Sequence, residues 1–462
     1  MGWDVQLGEL EASEIDAVLL HPEHTTNLQA VTWLLERFDA ANTAEDLYDF
    51  QAQLFRASYR AQLAADRIGR TVHRVNAGKT PDWPGPMDAE TATFVDPPWH
   101  LRCAPESTAP EEWVLERRVA ERVIRQLRAV GDALAWRVHR YDRRVIIALS
   151  RNDLPGPFVG KAGLDAELGK ITEIREQQGN FALLHDLTSV MRVLDATEIE
   201  RTGRRMLHEI KSSDSSSARA KARKQTKHAE RLLAAIDGSA ALPGEEVMIL
   251  WRARAQLRTH VRDLVPMLER AAAEGFAAIQ VADRVVSAFH LLPAAGGSVS
   301  VQEVWNAYVR RRDDLLLQRL GIEQGCHRLR ATSIDSAARD PATAPWGIYP
   351  LPAHLRAALI CDYLILESFL AADQVAARFH RRRLNAQVLL PVTGNGFDEH
   401  TQVLQVTDNG HGVVVHGNAM YQLLMEFVRT DRFIDAIGEV LKLPDPSIRS
   451  LLTYSNERAA WR

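Results

Sequence analysis

The 462-residue chain has only three cysteines, Cys103, Cys326 and Cys361, which lie far apart and form no CxxC pair. That spacing argues against a disulfide framework or a zinc knuckle and predicts three core thiols in a reducing compartment. The chain also lacks any run of roughly 18–20 uncharged apolar residues, so no membrane-spanning helix is expected. Its opening residues, MGWDVQLGELEASE, are acidic where a secretion signal is basic, and the expected location is the cytoplasm. Net charge of one sign is small, at -4, so any attraction to nucleic acid must come from local patches. Lysine is scarce as well. Only eight of the 56 basic residues are Lys, yet four of them, Lys211, Lys221, Lys224 and Lys227, fall within 17 residues.

What is present, 46% hydrophobic residues in a chain of this length, is enough to bury a large core divided into two or three domains. Residues 25–73 repeat apolar side chains at helical spacing (Leu28, Val31, Leu34, Leu35, then Leu47, Phe50, Leu54), which predicts a helical N-terminal domain over 1–108 ending in a Pro-rich linker. A second domain is expected over 109–238. Pro110 followed by two acidic residues starts a helix whose apolar face is Trp113, Val119, Val123, Leu127, Val130 and Leu134. RRVIIALSRN, 143–152, reads as a strand. GLDAELGKITEI, 163–174, reads as a helix. FALLHDLT, RVLDATEI and RMLHEIK then read as three strands, the last two joined by the turn ERTGR. A Ser-rich loop leads into a basic helix, 218–236. Residues 239–462 read as mostly helical, with one β-hairpin at 403–416 around Asp408-Asn409-Gly410 and an amphipathic helix at 419–439.

On a strand, alternation puts Glu209 and Lys211 on one face and His208 and Ile210 on the other. Between Asp195 and Glu209 there is room for a strand, a turn at Thr202-Gly203 and a returning strand, which would bring two carboxylates together. Such a pair is a hard-oxygen site for Mg²⁺ or Mn²⁺, and a neighbouring Lys211 ammonium can orient water or neutralise charge, so the expected reaction is phosphodiester hydrolysis. Glu167 borders the apolar face of the 163–174 helix, and a carboxylate there needs a partner. The basic helix, with Lys221, Arg223, Lys224 and Lys227, follows directly and suits phosphate tracking.

The order helix, strand, strand with Asp195 (LTSVMRVLDATEI), strand with Glu209-x-Lys211 (MLHEIKSS), basic helix resembles the PD-(D/E)XK, restriction-endonuclease-like nuclease superfamily over residues 110–238. Leu194 stands where that motif nominally has Pro. The resemblance implies an α/β nuclease core, a central sheet flanked by helices, between mostly α-helical N- and C-terminal domains. It implies Asp195, Glu209 and Lys211 as catalytic residues; Asp195, Glu209 and Glu167 as metal ligands; and Gln225 as an accessory residue, although the Tyr that follows it in RecB-like members is Ala229 here. DNA is the first expectation for substrate, with antiviral defence as setting and a protein partner or homo-oligomer formed through the helical flanks. Three alternatives stay open. Asp186 replaces Asp195 if the strand assignment slips by one element; Glu209 and Lys211 are a solvated face of an edge strand and Asp195 a turn residue; or the fold is a catalytically silent nucleic-acid-binding or assembly scaffold. Two other patterns fail: GPFVGK, 156–161, has the wrong spacing and Ala162 where a phosphate loop needs Ser or Thr, and in His21-Pro-Glu-His24 the proline opposes helical presentation and no further ligand is evident, so that segment reads as a loop.

Overall fold

The structure, a computed structural model, describes residues 17–80; 109–210 apart from 151–155, 158 and 162; residues 227, 228, 231, 232 and 234; and 258–442 apart from 292–302, 305, 312–326, 334–342 and 391–400. It mixes helices with antiparallel sheets.

Local signals start the first three helices. α1 (Pro22–Ala40) has Pro at its first turn and the His21 imidazole accepting from the Glu23 N–H. α2 (Ala44–Asn76) opens with a Thr43–Asp46 capping box. α3 (Pro110–Val138) buries the apolar face expected of it, with Trp113, Val119, Val123, Leu127, Val130 and Leu134 all inaccessible. The HPEH residues, expected in a loop, open α1 instead, because proline at the first helical turn gives up no hydrogen bond. His24 is buried and accepts from Gln126, and desolvation followed by the Arg122 charge holds its pKa down at about 3.

Residues 143–149 are a helix, not a strand. Arg140 and Tyr141 turn the chain with φ of 56° and 57°, and Asp142 then caps α4 (Arg143–Leu149) through the Arg144 N–H. The β-branched composition that suggests a strand is overridden by this cap and by burial of Val145, Ile146 and Leu149 at helical spacing.

α5 (Leu164–Glu173) continues through a π-turn, Ile174–Gln178, into a three-stranded antiparallel sheet of β1 (Phe181–Leu184), β2 (Ala196–Ile199) and β3 (Arg205–His208), in that order. The turn between β2 and β3 uses Gly203 at φ 87°, a conformation glycine adopts without strain.

The C-terminal third holds more sheet than its sequence suggests. α6 (Val265–Glu274) precedes β4 (Phe276–Val281) and β5 (Arg284–His290). These join β6 (Arg328–Thr332) and β7 (Leu364–Ala371) in a sheet of order β4-β5-β7-β6. Every residue of β7 is buried, and such a strand loses the alternation that marks it in sequence. α7 (Ala353–Ile360) and α8 (Ala372–Arg381) flank β7, and β8 (Asn385–Val388) joins the expected hairpin of β9 (Gln402–Asp408) and β10 (His411–His416), which turns at Asn409 and Gly410 with φ of 49° and 84°. The single helix expected at 419–439 is two, α9 (Gly417–Leu424) and α10 (Thr430–Val440). The buried Arg284 guanidinium donates to the carbonyls of Leu423 and Val428 and to Thr430 Oγ1, satisfying the backbone groups exposed at the break.

One hydrophobic cluster includes Val31 and Leu54, Leu127 and Leu183, and Leu268 and Leu366, so the three sequence segments share a core. Among the described residues no helix is long and apolar enough to cross a membrane. Cys361 is buried, whereas Cys103 and Cys326 lie outside the described residues.

Candidate functional site

Asp195 immediately precedes β2 and Glu209 immediately follows β3, so both lie just outside the strands expected to carry them: the left-handed turn at Leu194 delays the start of β2, and the ladder closes at His208. The pairing Ala196↔His208 ends the regular ladder, and there the Asp195 N–H donates to the His208 carbonyl at 3.0 Å. Asp195 Oδ2 accepts the Ile210 N–H at 2.7 Å. Asp195 is therefore bonded to the chain on both sides of Glu209, the neighbour expected from the hairpin reading. Lys211, Lys221, Arg223, Lys224 and Gln225 lie outside the described residues, while Lys227 is exposed on a helical stretch.

Lys161 joins the other carboxylates. Its ammonium lies 2.7 Å from Glu167 Oε1, 2.8 Å from Asp186 Oδ2 and 3.7 Å from Asp195 Oδ1. Asp186, the alternative to Asp195 in sequence, thus belongs to the same cluster. Glu167 is 1% exposed, and its second oxygen, Oε2, is buried without a hydrogen-bond partner. Burial pushes the Glu167 carboxyl up, against the pull of Lys161. Burial alone would lower the Lys161 ammonium, but bonds to Asp186 and Glu167 outweigh it and hold the group above the usual lysine value. The unpaired acceptor of Glu167 has the chemistry of a hard-cation ligand. However, no group of three or more His, Cys, Asp or Glu among the described residues is arranged to hold a metal.

α3 is the platform for the loops that carry this cluster. Gly131 is needed because a Cβ there would collide with the Leu187 carbonyl. Asp132 accepts the N–H of Ser189 at 2.7 Å and of Val190 at 3.2 Å, bonds that oppose the upward push of burial on its carboxyl. Arg128 donates to the Gly156 carbonyl at 2.8 Å, anchoring the start of the segment that ends in Lys161. Burial, ahead of the Arg192 charge, lowers the Arg128 pKa to about 10.

Sequence reasoning misses Lys161, His185 and Asp132. For Lys161 one signal exists: it is a rare lysine three residues before the helix of Glu167, inside the GPFVGK segment that fails as a phosphate loop. His185 and Asp132 act through contacts with distant or irregular backbone, for which no sequence pattern exists.

Comparisons with family models, curated proteins and solved structures return no match.

Proposed function

We propose that the chain is a divalent-metal-dependent nuclease that hydrolyses phosphodiester bonds, with DNA as the first substrate class and antiviral defence as its setting. The observation that carries this reading is the convergence of Glu167 and Asp195 on one point, with Asp195 bonded to the backbone on both sides of Glu209. Glu167, Asp195 and Glu209 would hold Mg²⁺ or Mn²⁺, whose contribution when bound is to polarise the phosphate and acidify a water. Asp195 is oriented for this by the Ile210 N–H. Lys211, two positions beyond Glu209, would neutralise charge developing on the phosphate, and Lys221, Arg223, Lys224 and Lys227 would follow the backbone of the substrate, with Gln225 accessory.

A second reading has one observation in its favour: Lys161 already satisfies Glu167 and Asp186 as an ion-pair network, as a catalytically silent nucleic-acid-binding scaffold would require. A plasmid-nicking assay with Mg²⁺, Mn²⁺ or EDTA separates the two. The nuclease reading expects metal-dependent nicking that is abolished by Asp195→Ala, Glu209→Ala and Lys211→Ala with circular dichroism unchanged, and reduced less by Glu167→Gln. Undiminished nicking in the three alanine variants overturns the site. Plasmid retention without nicking under any metal favours the scaffold.

A further inference from the structure

We propose that Lys161 is a tethered counter-cation that occupies the convergence point of Glu167, Asp186 and Asp195, and that a divalent cation enters by displacing it from Glu167 and Asp195 while Asp186 retains it. The proposal rests on the metal-site reading above and adds the device that regulates entry.

The geometry sets up a direct competition. At 2.7 Å from Glu167 Oε1 and 3.7 Å from Asp195 Oδ1, the ammonium fills the space from which a hard cation would draw those oxygens to about 2.0–2.6 Å. Both cations cannot hold the same Glu167 oxygen. Three carboxylates around one ammonium leave a local charge of two negatives, which a divalent ion would balance. Glu167 Oε2 supplies an independent sign: it is buried on a residue only 1% exposed and has no hydrogen-bond partner, a condition that is costly to leave unmet. Lys161 reaches only Oε1, whereas a divalent ion that took its place on Glu167 could hold both oxygens.

Differences in exposure give the displacement its direction. Glu167 is inaccessible, whereas Asp186 is 25% exposed and Lys161 31% exposed. The lysine follows Gly160, at φ 77° with open space around it, on a long side chain that can swing outward without leaving Asp186. Competition of this kind raises the apparent dissociation constant of the metal by the reciprocal of the fraction of sites the lysine leaves open. A pair formed in about nine molecules of ten therefore weakens metal binding about tenfold.

The test is titration of the full chain with Mn²⁺ alone, read by calorimetry and by Mn²⁺ electron paramagnetic resonance, with no substrate. K161M should bind Mn²⁺ about tenfold or more tightly than the wild type, and K161R, which keeps the charge, should stay within about twofold of it. K161Q repeats the measurement if K161M does not fold. D186N should weaken Mn²⁺ binding in the wild-type background, where it throws Lys161 wholly onto the metal ligands, and do so less in the K161M background. Wild-type affinity in K161M, with measurable binding by both proteins, overturns the counter-cation and leaves the metal site standing. Failure of the wild type, K161M and K161Q alike to bind millimolar Mn²⁺ overturns the metal site and the counter-cation together.

Discussion

The imidazole of His185 holds the carbonyl of Leu194 at 3.1 Å, and Leu194 has a left-handed φ of 65° immediately before Asp195. Burial first among its causes lowers the His185 pKa to about 4, so the ring is neutral at physiological pH. Because a carbonyl only accepts, Nδ1 carries the proton and Nε2 accepts from Thr197 Oγ1 at 2.6 Å. One uncharged ring thus clamps the residues on either side of Asp195 and Ala196, and a turn that costs about 1–2 kcal/mol in an L-residue is retained where it aims the carboxylate.

This turn excludes proline from position 194. Proline is locked near a φ of about -65° and cannot adopt the left-handed region. Leu194→Pro is expected to destabilise the protein by about 3 kcal/mol or more. Leu194→Gly, which relieves strain while losing packing, should stay within about 1–2 kcal/mol of the wild type. Urea midpoints measure both, and a proline variant as stable as the wild type would mean that the turn is not left-handed.

The neutral state of His185 predicts a pH dependence with a definite sign. Its folded pKa is depressed to about 4 from 6.5. As pH falls below 6.5 the unfolded chain takes up a proton that the folded ring refuses. The contribution is therefore complete above about pH 6.5 and is lost between there and pH 4. His185→Gln removes this titration. The stability advantage of the wild type over the variant should shrink by about 2 kcal/mol between pH 7.5 and pH 5, since a tenfold difference in proton affinity between the folded and unfolded ring is worth about 1.4 kcal/mol. His24, also buried with a lowered pKa, titrates alike in both proteins and cancels in the difference, and burial, the first cause of the lowered His139 pKa, is the same in both. An advantage that is constant with pH would show that the ring is not held neutral.

Arg143 and Glu426 form a buried ion pair, at 1% and 2% side-chain exposure, between α4 and the break after α9. The Ala344 N–H also donates to Glu426 at 3.1 Å. Arg143→Leu leaves a buried carboxylate without its cation and should cost about 3–5 kcal/mol in chemical unfolding. Adding Glu426→Leu should recover a large part of that loss. Additive costs for the two substitutions would contradict the coupling.

Much of the helical framework is legible in the sequence because its causes are local. The Thr43–Asp46 box and Pro110 satisfy helix starts from within a few residues, and the apolar stripe of α3 repeats at the helical period. The β2–β3 hairpin is legible for the same reason, since Gly203 supplies its turn, but Asp195 and Glu209 fall one residue outside the two strands, where alternation no longer fixes their faces. α4 is not, since its β-branched residues carry a strand signal that the Asp142 cap outweighs. β7 escapes notice because both its faces are buried, Glu367 and Ser368 included, so no solvent-facing polar side alternates with an apolar one. The helix break at 425–429 answers to Arg284, whose guanidinium arrives from a strand about 140 residues earlier.

Helix starts and the Gly203 turn are written locally in the sequence. What surrounds the carboxylates is set by packing: Lys161 among Glu167, Asp186 and Asp195, the Leu187 loop seated on Gly131, the neutral His185 behind Leu194. Caps, turns and periodicities act over a few residues and are written in neighbouring letters. Burial and charge act through space, between groups such as Arg143 and Glu426 that lie 283 residues apart along the chain, and they become visible only once the core has closed.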